Sequence, residues 1–355
     1  MIDKNAVMKI LSEIEDPELR RPLTELDMIK SVEIQGGRVA IDISLTIPGC
    51  PLKKKITDDV KSRVGQLPGI ETVDITFGVM SEEQRRNLLG KLHGSAPSGA
   101  GTPNEKPAGT FAKRVIAVAS GKGGVGKSTV TSNLAAALSK RGHKVAVLDA
   151  DVYGFSIPRI LGLQGTPTII DENIVPLRKE NIQVISMGFF VEEDAPVIWR
   201  GPLLHKAINQ FLTDVLWDQS DFLLLDLPPG TGDVTLTIAQ ALPNAELLVV
   251  TTPQPVASHT AGRVAKLAEK TNLTVLGVIE NMAYYENNGH REYIFGKDGG
   301  KNLAMELNVP FLGQIPIMTE IREAADCGLP AAFSDRDDIA EYYLKIADAI
   351  VRMKL

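Results

Sequence analysis

The sequence predicts a doubly wound, mostly parallel α/β domain preceded by a small α+β domain of order αββαβ. Three observations carry that reading. Beyond residue 112, the apolar runs "VIAVAS", "KVAVLDA", "IQVISM", "FLLLDL", "ELLVVTT", "TVLGVIE" and "FLGQIP" recur with helical patterns between them. Strands buried on both faces read as unbroken Val, Ile and Leu, so these runs belong to a parallel sheet lying between helices. Residues 90–109, "GKLHGSAPSGAGTPNEKPAG", are rich in Gly, Pro, Ala and Ser and lack apolar periodicity, as a solvated tether does. Finally, a chain of 355 residues is long for a single core and suits two domains. The expected division is a small domain over 1–90, a linker over 91–112 and a larger domain over 113–355. A flexible linker of about 20 residues would hold its ends roughly 25 Å apart and let the two domains reorient.

The elements follow in order. A helix is expected from about Lys4 to Ile14. Two strands flank Gly36 and Gly37, with Val39, Ile41, Ile43 and Leu45 alternating along the second, which makes a hairpin. After "PGCP", Leu52, Ile56, Val60 and Val64 fall four apart on one helical face, and a strand follows near Val73 to Phe77. In the larger domain the first strand runs into "SGKGGVGKST", and a helix extends from about Lys127 to Arg141.

Composition narrows the function. With 44% apolar and 23% charged residues the chain can bury a sizeable core, which excludes disorder along its whole length. The net charge of -6 gives no global field for a polyanion, so nucleic acid is not expected as the main partner. No basic segment followed by an apolar one opens the sequence, and no apolar stretch is long enough to cross a bilayer; a cytoplasmic protein without a membrane partner is expected. Two distant cysteines, Cys50 and Cys327, argue against a disulfide framework and fit a reducing compartment.

Gly121 to Ser128 satisfies G-x-x-x-x-G-K-[ST] between a strand and a helix. Glycines let the backbone curl so that successive N–H groups point inward, and the helix N-terminus adds partial positive charge at the same place. Lys127 is therefore expected to reach the β- and γ-phosphates of ATP, with the Ser128 hydroxyl on Mg²⁺. The metal site needs an acid, and Asp226 ends the buried run "FLLLDL" ahead of "PPGTGD", a loop suited to sensing the γ-phosphate. Asp149 and Asp151, one residue apart at the end of "KVAVLDAD", suit one carboxylate for the Mg²⁺ site and one for the attacking water; capping of the next helix is the plainer alternative.

The loop Gly121-Lys122-Gly123-Gly124-Val125-Gly126-Lys127-Ser128-Thr129 resembles the deviant Walker A motif of the MinD, ParA and nitrogenase iron-protein superfamily. "DADVYGFSIPR", "MGFF", "WRGP", "LPPGTGD" and "ENMAYY" are similar to the Mrp/ApbC branch of iron-sulfur cluster carrier ATPases, and the N-terminal segment with its "PGCP" resembles the small iron-sulfur-assembly domain fused to them. The resemblance implies a P-loop ATPase working as a homodimer that passes a cluster, [4Fe-4S] by kinship, to apoprotein clients, with the iron-sulfur assembly machinery as a further partner. It also implies that Lys122 reaches across the dimer to the partner's phosphates, as an arginine finger does. On the same basis Asp151 orients the attacking water and Asn281 contacts adenine, although a strand-end turn former would also suit Asn281.

Most relatives carry Cys-x-x-Cys soon after "ENM", whereas this chain reads "NMAYYENNGHREYIFG". His290 in that stretch suits a solvated loop better than a metal. Four thiolates per cluster would then need both cysteines of two protomers. Cys50 is the stronger candidate, because Lys53, Lys54, Lys55 and a helix start stabilise a thiolate; Cys327 in "AADCGLP" lacks that help. An ATP-dependent DNA-binding regulator is the main alternative, with Lys53 to Lys55 and Arg85, Arg86 as its basic patches. A MinD-like scaffold would want a basic membrane helix, but the tail "DDIAEYYLKIADAIVRMKL" is better suited to packing on the sheet.

Overall fold

The computed structural model describes residues 3–47, 52–92, 109–151, 154–191, 201–230, 233–287 and 289–353. They form two compact units, and the first combines the described residues up to 92 with Thr168–Val175.

The first unit holds α1 (Lys4–Leu11), β1 (Ile29–Gln35), β2 (Arg38–Leu45), α2 (Lys53–Val64), β3 (Thr72–Val79) and α3 (Glu82–Leu92). The expected αββαβ order is present. β1 and β2 pair antiparallel around a turn at Gly36, whose φ of +60° suits glycine, and β3 adds parallel to β2 from Arg38/Thr72 to Leu45/Val79. Val39, Ile41, Ile43 and Leu45 are all buried, and Ile56, Val60 and Val64 of α2 are buried with them, as their spacing requires. α3 was not expected. It starts from a capping box in which Ser81 Oγ accepts from the Gln84 amide and Gln84 Oε1 accepts from the Ser81 amide, and it carries helix to Leu92, past the Gly90 where the tether was expected to begin.

The second unit begins with β4 (Ala112–Ser120), α4 (Lys127–Lys140), β5 (Val145–Asp149) and α5 (Ile157–Leu161). The chain then gives β6 (Ile169–Ile170) and β7 (Asn173–Ile174), the hairpin that belongs to the first unit. There Arg85 Nε donates to both Asp171 carboxylate oxygens at 3.1 and 3.0 Å, and Thr168 Oγ1 donates to Glu18 at 2.8 Å. The hairpin turn places Asp171 and Glu172 at φ of +44° and +70°, a region two such residues enter only when surrounding contacts hold them.

The second unit resumes with β8 (Leu177–Lys179), β9 (Ile182–Ser186), α6 (Gly201–Thr213), β10 (Ser220–Asp226), α7 (Asp233–Ala241), β11 (Glu246–Thr251) and α8 (Pro255–Lys270). β12 (Thr274–Glu280), the small pair β13 (Tyr285–Asn287) and β14 (His290–Glu292), α9 (Gly299–Glu306), β15 (Phe311–Gln314), α10 (Thr319–Asp326) and α11 (Asp337–Arg352) complete it. The main sheet runs β15-β12-β11-β4-β10-β5-β9-β8. The seven apolar runs supply its seven parallel strands, and only the edge strand β8 is antiparallel, against β9. α4 is buried nearly all round because α11 covers its other side, with Tyr343, Ile346 and Ile350 turned inward. The tail is therefore core, as its spacing suggested.

One close approach governs how α5 and α10 meet. Gly162, which ends α5 at φ +65°, and Gly328, just past α10 at φ +69°, touch backbone to backbone; a Cβ on Gly328 would lie 2.5 Å from the Gly162 Cα. Gly328→Ala combines that clash with a left-handed backbone, so it should cost about 2 kcal/mol or more, read as a lowered midpoint in thermal unfolding. An unchanged midpoint would show that the two turns separate freely.

Candidate functional site

The site lies at the carboxyl ends of the central strands, where open α/β sheets bind ligands. Register assembles it. Asp226 of β10 pairs with Val118 of β4 on one side and Asp149 of β5 on the other, and Asp149 pairs with Ser186 of β9. Three polar side chains thus stand in one row across the sheet, beside the loop that joins β4 to α4.

Glycine is needed in that loop for two separate reasons. At Gly121 a Cβ would sit 2.3 Å from the Ala261 amide nitrogen, so the loop lies directly on the backbone of α8. At Gly126, with φ +80°, a Cβ would meet the Asn281 carboxamide at 2.2 Å. Asn281 is buried and donates from Nδ2 to the Val125 carbonyl at 2.8 Å, while Ser120 Oγ donates to the Lys122 carbonyl at 3.0 Å. Gly126 caps α4 without any side-chain bond to the helix, which leaves the first-turn N–H groups available to an anion.

Asp226 is wholly buried and collects the polar groups around it. Its Oδ2 accepts from Lys127 Nζ at 2.7 Å and Ser128 Oγ at 2.6 Å, and its Oδ1 accepts from Thr131 Oγ1 at 2.7 Å. Asp151 also reaches Lys127, at 3.5 Å. A lysine buried to 6% exposure needs such counter-charge, since an unpaired buried ammonium is strongly unfavourable. Thr131 was missed by sequence reasoning. Its signal was position: four residues after Lys127 and three after Ser128, it shares their face of α4.

Asp149 accepts from Ser186 Oγ at 2.9 Å and from the Asp151 amide at 3.2 Å. Burial, and then the neighbouring Asp226 carboxylate, push the Asp149 carboxyl well above the usual range. Asp226 and Ser128 bring hard oxygen donors together at the loop, of the kind that suits Mg²⁺. After Asp226 the chain folds back, the Gly230 amide donating to the Ser120 carbonyl at 2.8 Å; Thr231 and Gly232 lie outside the described residues.

Beyond the loop a cavity of about 450 Å³ opens between Gly126, Thr129, Asn281, Met318 and Ile321, with Arg159 also in its lining. Its size suits a small ligand such as a nucleoside. Lys122 points elsewhere: its Nζ donates to Gln254 Oε1 at 2.7 Å.

Cys327 is a free, exposed thiol at the end of α10, and Cys50 lies outside the described residues. Among the described residues no three His, Cys, Asp or Glu side chains are arranged as a metal-binding group, and His290 is exposed on β14. Of the basic patches, Arg85 is engaged by Asp171 and Lys53 lies over the Phe77 ring at 4.8 Å. No helix among the described residues is long and apolar enough to cross a membrane.

Residues 112–351 match the family described as NUBPL iron-transfer P-loop NTPase, and residues 4–77 match the iron-sulfur cluster assembly protein family. An iron-sulfur cluster carrier protein of Mycobacterium tuberculosis is 46% identical, over 98% of this chain and 93% of its own length. Its namesake in Bacillus subtilis is 42% identical, over 99% of this chain and 98% of that one. Among solved structures, a nucleotide-binding protein of Archaeoglobus fulgidus in complex with ADP shares 39% identity at a TM-score of 0.55, covering 61% of this chain and 87% of that chain. The cell division ATPase MinD of Pyrococcus furiosus shares 25% at 0.52, covering 68% and 100%. Matched over most of its length by one family model, and across nearly all of it by these carriers, the chain belongs to the NUBPL iron-transfer P-loop NTPase family.

Proposed function

We propose that this protein is a Mg²⁺-dependent ATPase that carries iron-sulfur clusters to apoprotein clients, with ATP closing a homodimer and hydrolysis reopening it. The observation that carries the ATPase reading is the buried group formed by Lys127, Ser128, Thr131 and Asp226 under the open N-terminus of α4. The loop amides and Lys127 bind the β- and γ-phosphates, and Asn281 with the adjoining cavity takes the base. Mg²⁺, held by Ser128 and Asp226, would neutralise phosphate charge. Asp151 orients the water whose oxygen attacks the γ-phosphorus as the bond to the ADP oxygen breaks. The Lys122 ammonium of a second protomer offsets the charge that develops there.

Cluster carriage is supported by the carrier relatives, whose similarity runs through both the assembly-type domain and the NTPase domain. The cluster is cargo, [4Fe-4S] in this reading, with Cys50 its first thiolate and Cys327 the second. The DNA-binding alternative gains nothing from these relatives.

Two outcomes are expected. Thr131→Val preserves shape but removes a donor from the buried Asp226 carboxylate, so steady-state phosphate release should fall about tenfold, a loss near 1.4 kcal/mol; parental turnover would exclude Thr131 from the site. Anaerobic reconstitution should yield stoichiometric iron and acid-labile sulfide per dimer in the parent and much less in Cys50→Ser. A parent without bound iron or visible absorption would end the carrier reading.

A further inference from the structure

The second lysine of the phosphate loop has a partner in its own chain. Lys122 Nζ donates to Gln254 Oε1 at 2.7 Å, and both residues are half-buried. Gln254 is the N-cap of α8, yet its side chain makes no bond to that helix; only its main-chain carbonyl serves the Ala257 and Ser258 amides. The carboxamide is thus given to Lys122 rather than to capping. The backbone fixes the distance between them, because Gly121 leaves no room for a Cβ against Thr260 and Ala261 and the Lys122 carbonyl is tied to Ser120.

The chemistry of this pair is that of a releasable hold. A neutral amide oxygen orients an ammonium without cancelling its charge, whereas phosphate oxygens attract it far more strongly. We infer that Gln254 is a positioning residue that parks Lys122 within its own protomer and has to release it before the ammonium can enter a partner's nucleotide site. This rests on the reading of Lys122 as a group supplied across the dimer. Parking would keep a protomer from completing another's site until a phosphate is there to compete for the ammonium.

The test is ATP turnover per protomer as a function of protein concentration, for the parent, Gln254→Ala, Gln254→Glu and Lys122→Ala. Releasing the lysine in Gln254→Ala should lower the concentration at half-maximal turnover about threefold to tenfold, and the carboxylate of Gln254→Glu should raise it by a similar factor. A structural role alone would move both variants in the same direction, and that result, or no shift in either, overturns the proposal. A drop in Gln254→Ala turnover at saturating protein also overturns it, because Gln254 would then present the lysine rather than restrain it. Lys122→Ala separates the two levels: turnover retained there refutes the trans-acting lysine itself, whereas turnover lost there with level Gln254 variants refutes only the parking.

Discussion

The site depends on the buried carboxylate of Asp226, which binds Lys127, Ser128 and Thr131 at once. Each contact draws on a different level of the fold. The carboxylate comes from the end of the central strand β10, while its three donors share one face of α4, and the two elements meet because β10 lies beside β4, the strand that feeds the loop. A carboxylate with no exposure is tolerated there only because an ammonium and two hydroxyls satisfy it. In the proposed reading the same arrangement is responsive, since phosphate oxygens would compete for Lys127 and a hard cation for the carboxylate.

The acidic row across the sheet also divides labour. Asp226 and Asp149 are register partners at the ends of adjacent strands, so the two buried side chains stand next to each other. Lys127 and Ser128 face Asp226, whereas Asp149 is turned toward Ser186 and has its affinity for a proton raised. Asp149 is thus bonded to Ser186 and the Asp151 amide, while Asp226 meets the loop directly.

Much of this was legible before the structure. Unbroken apolar runs are what a strand buried on both faces must be, so seven of them read directly as seven parallel strands. The glycines and Lys127 were equally legible because the loop's chemistry tolerates few residue types. The edge strand β8 was not, since Leu177–Lys179 is three residues long and half-buried, too short for any period to appear. Nor did the sequence mark Thr168–Val175 as part of the first unit: its hold depends on Arg85 and Glu18, which are remote in the chain. Asn281 was read as an adenine contact or a turn former, and its bond to the Val125 carbonyl adds a role that only tertiary placement reveals. α3 was legible through Ser81 and Gln84 and was overlooked beside the Gly- and Pro-rich stretch that follows.

The central claim is that Asp226 and phosphate compete for Lys127, and it is tested most directly by nucleotide affinity measured with and without Mg²⁺ in Asp226→Asn. Removing the carboxylate frees Lys127 for phosphate, so metal-free ATP should bind the variant at least as tightly as the parent, and the gain in affinity on adding Mg²⁺ should be lost. Markedly weaker metal-free binding, or an intact response to Mg²⁺, would contradict the account.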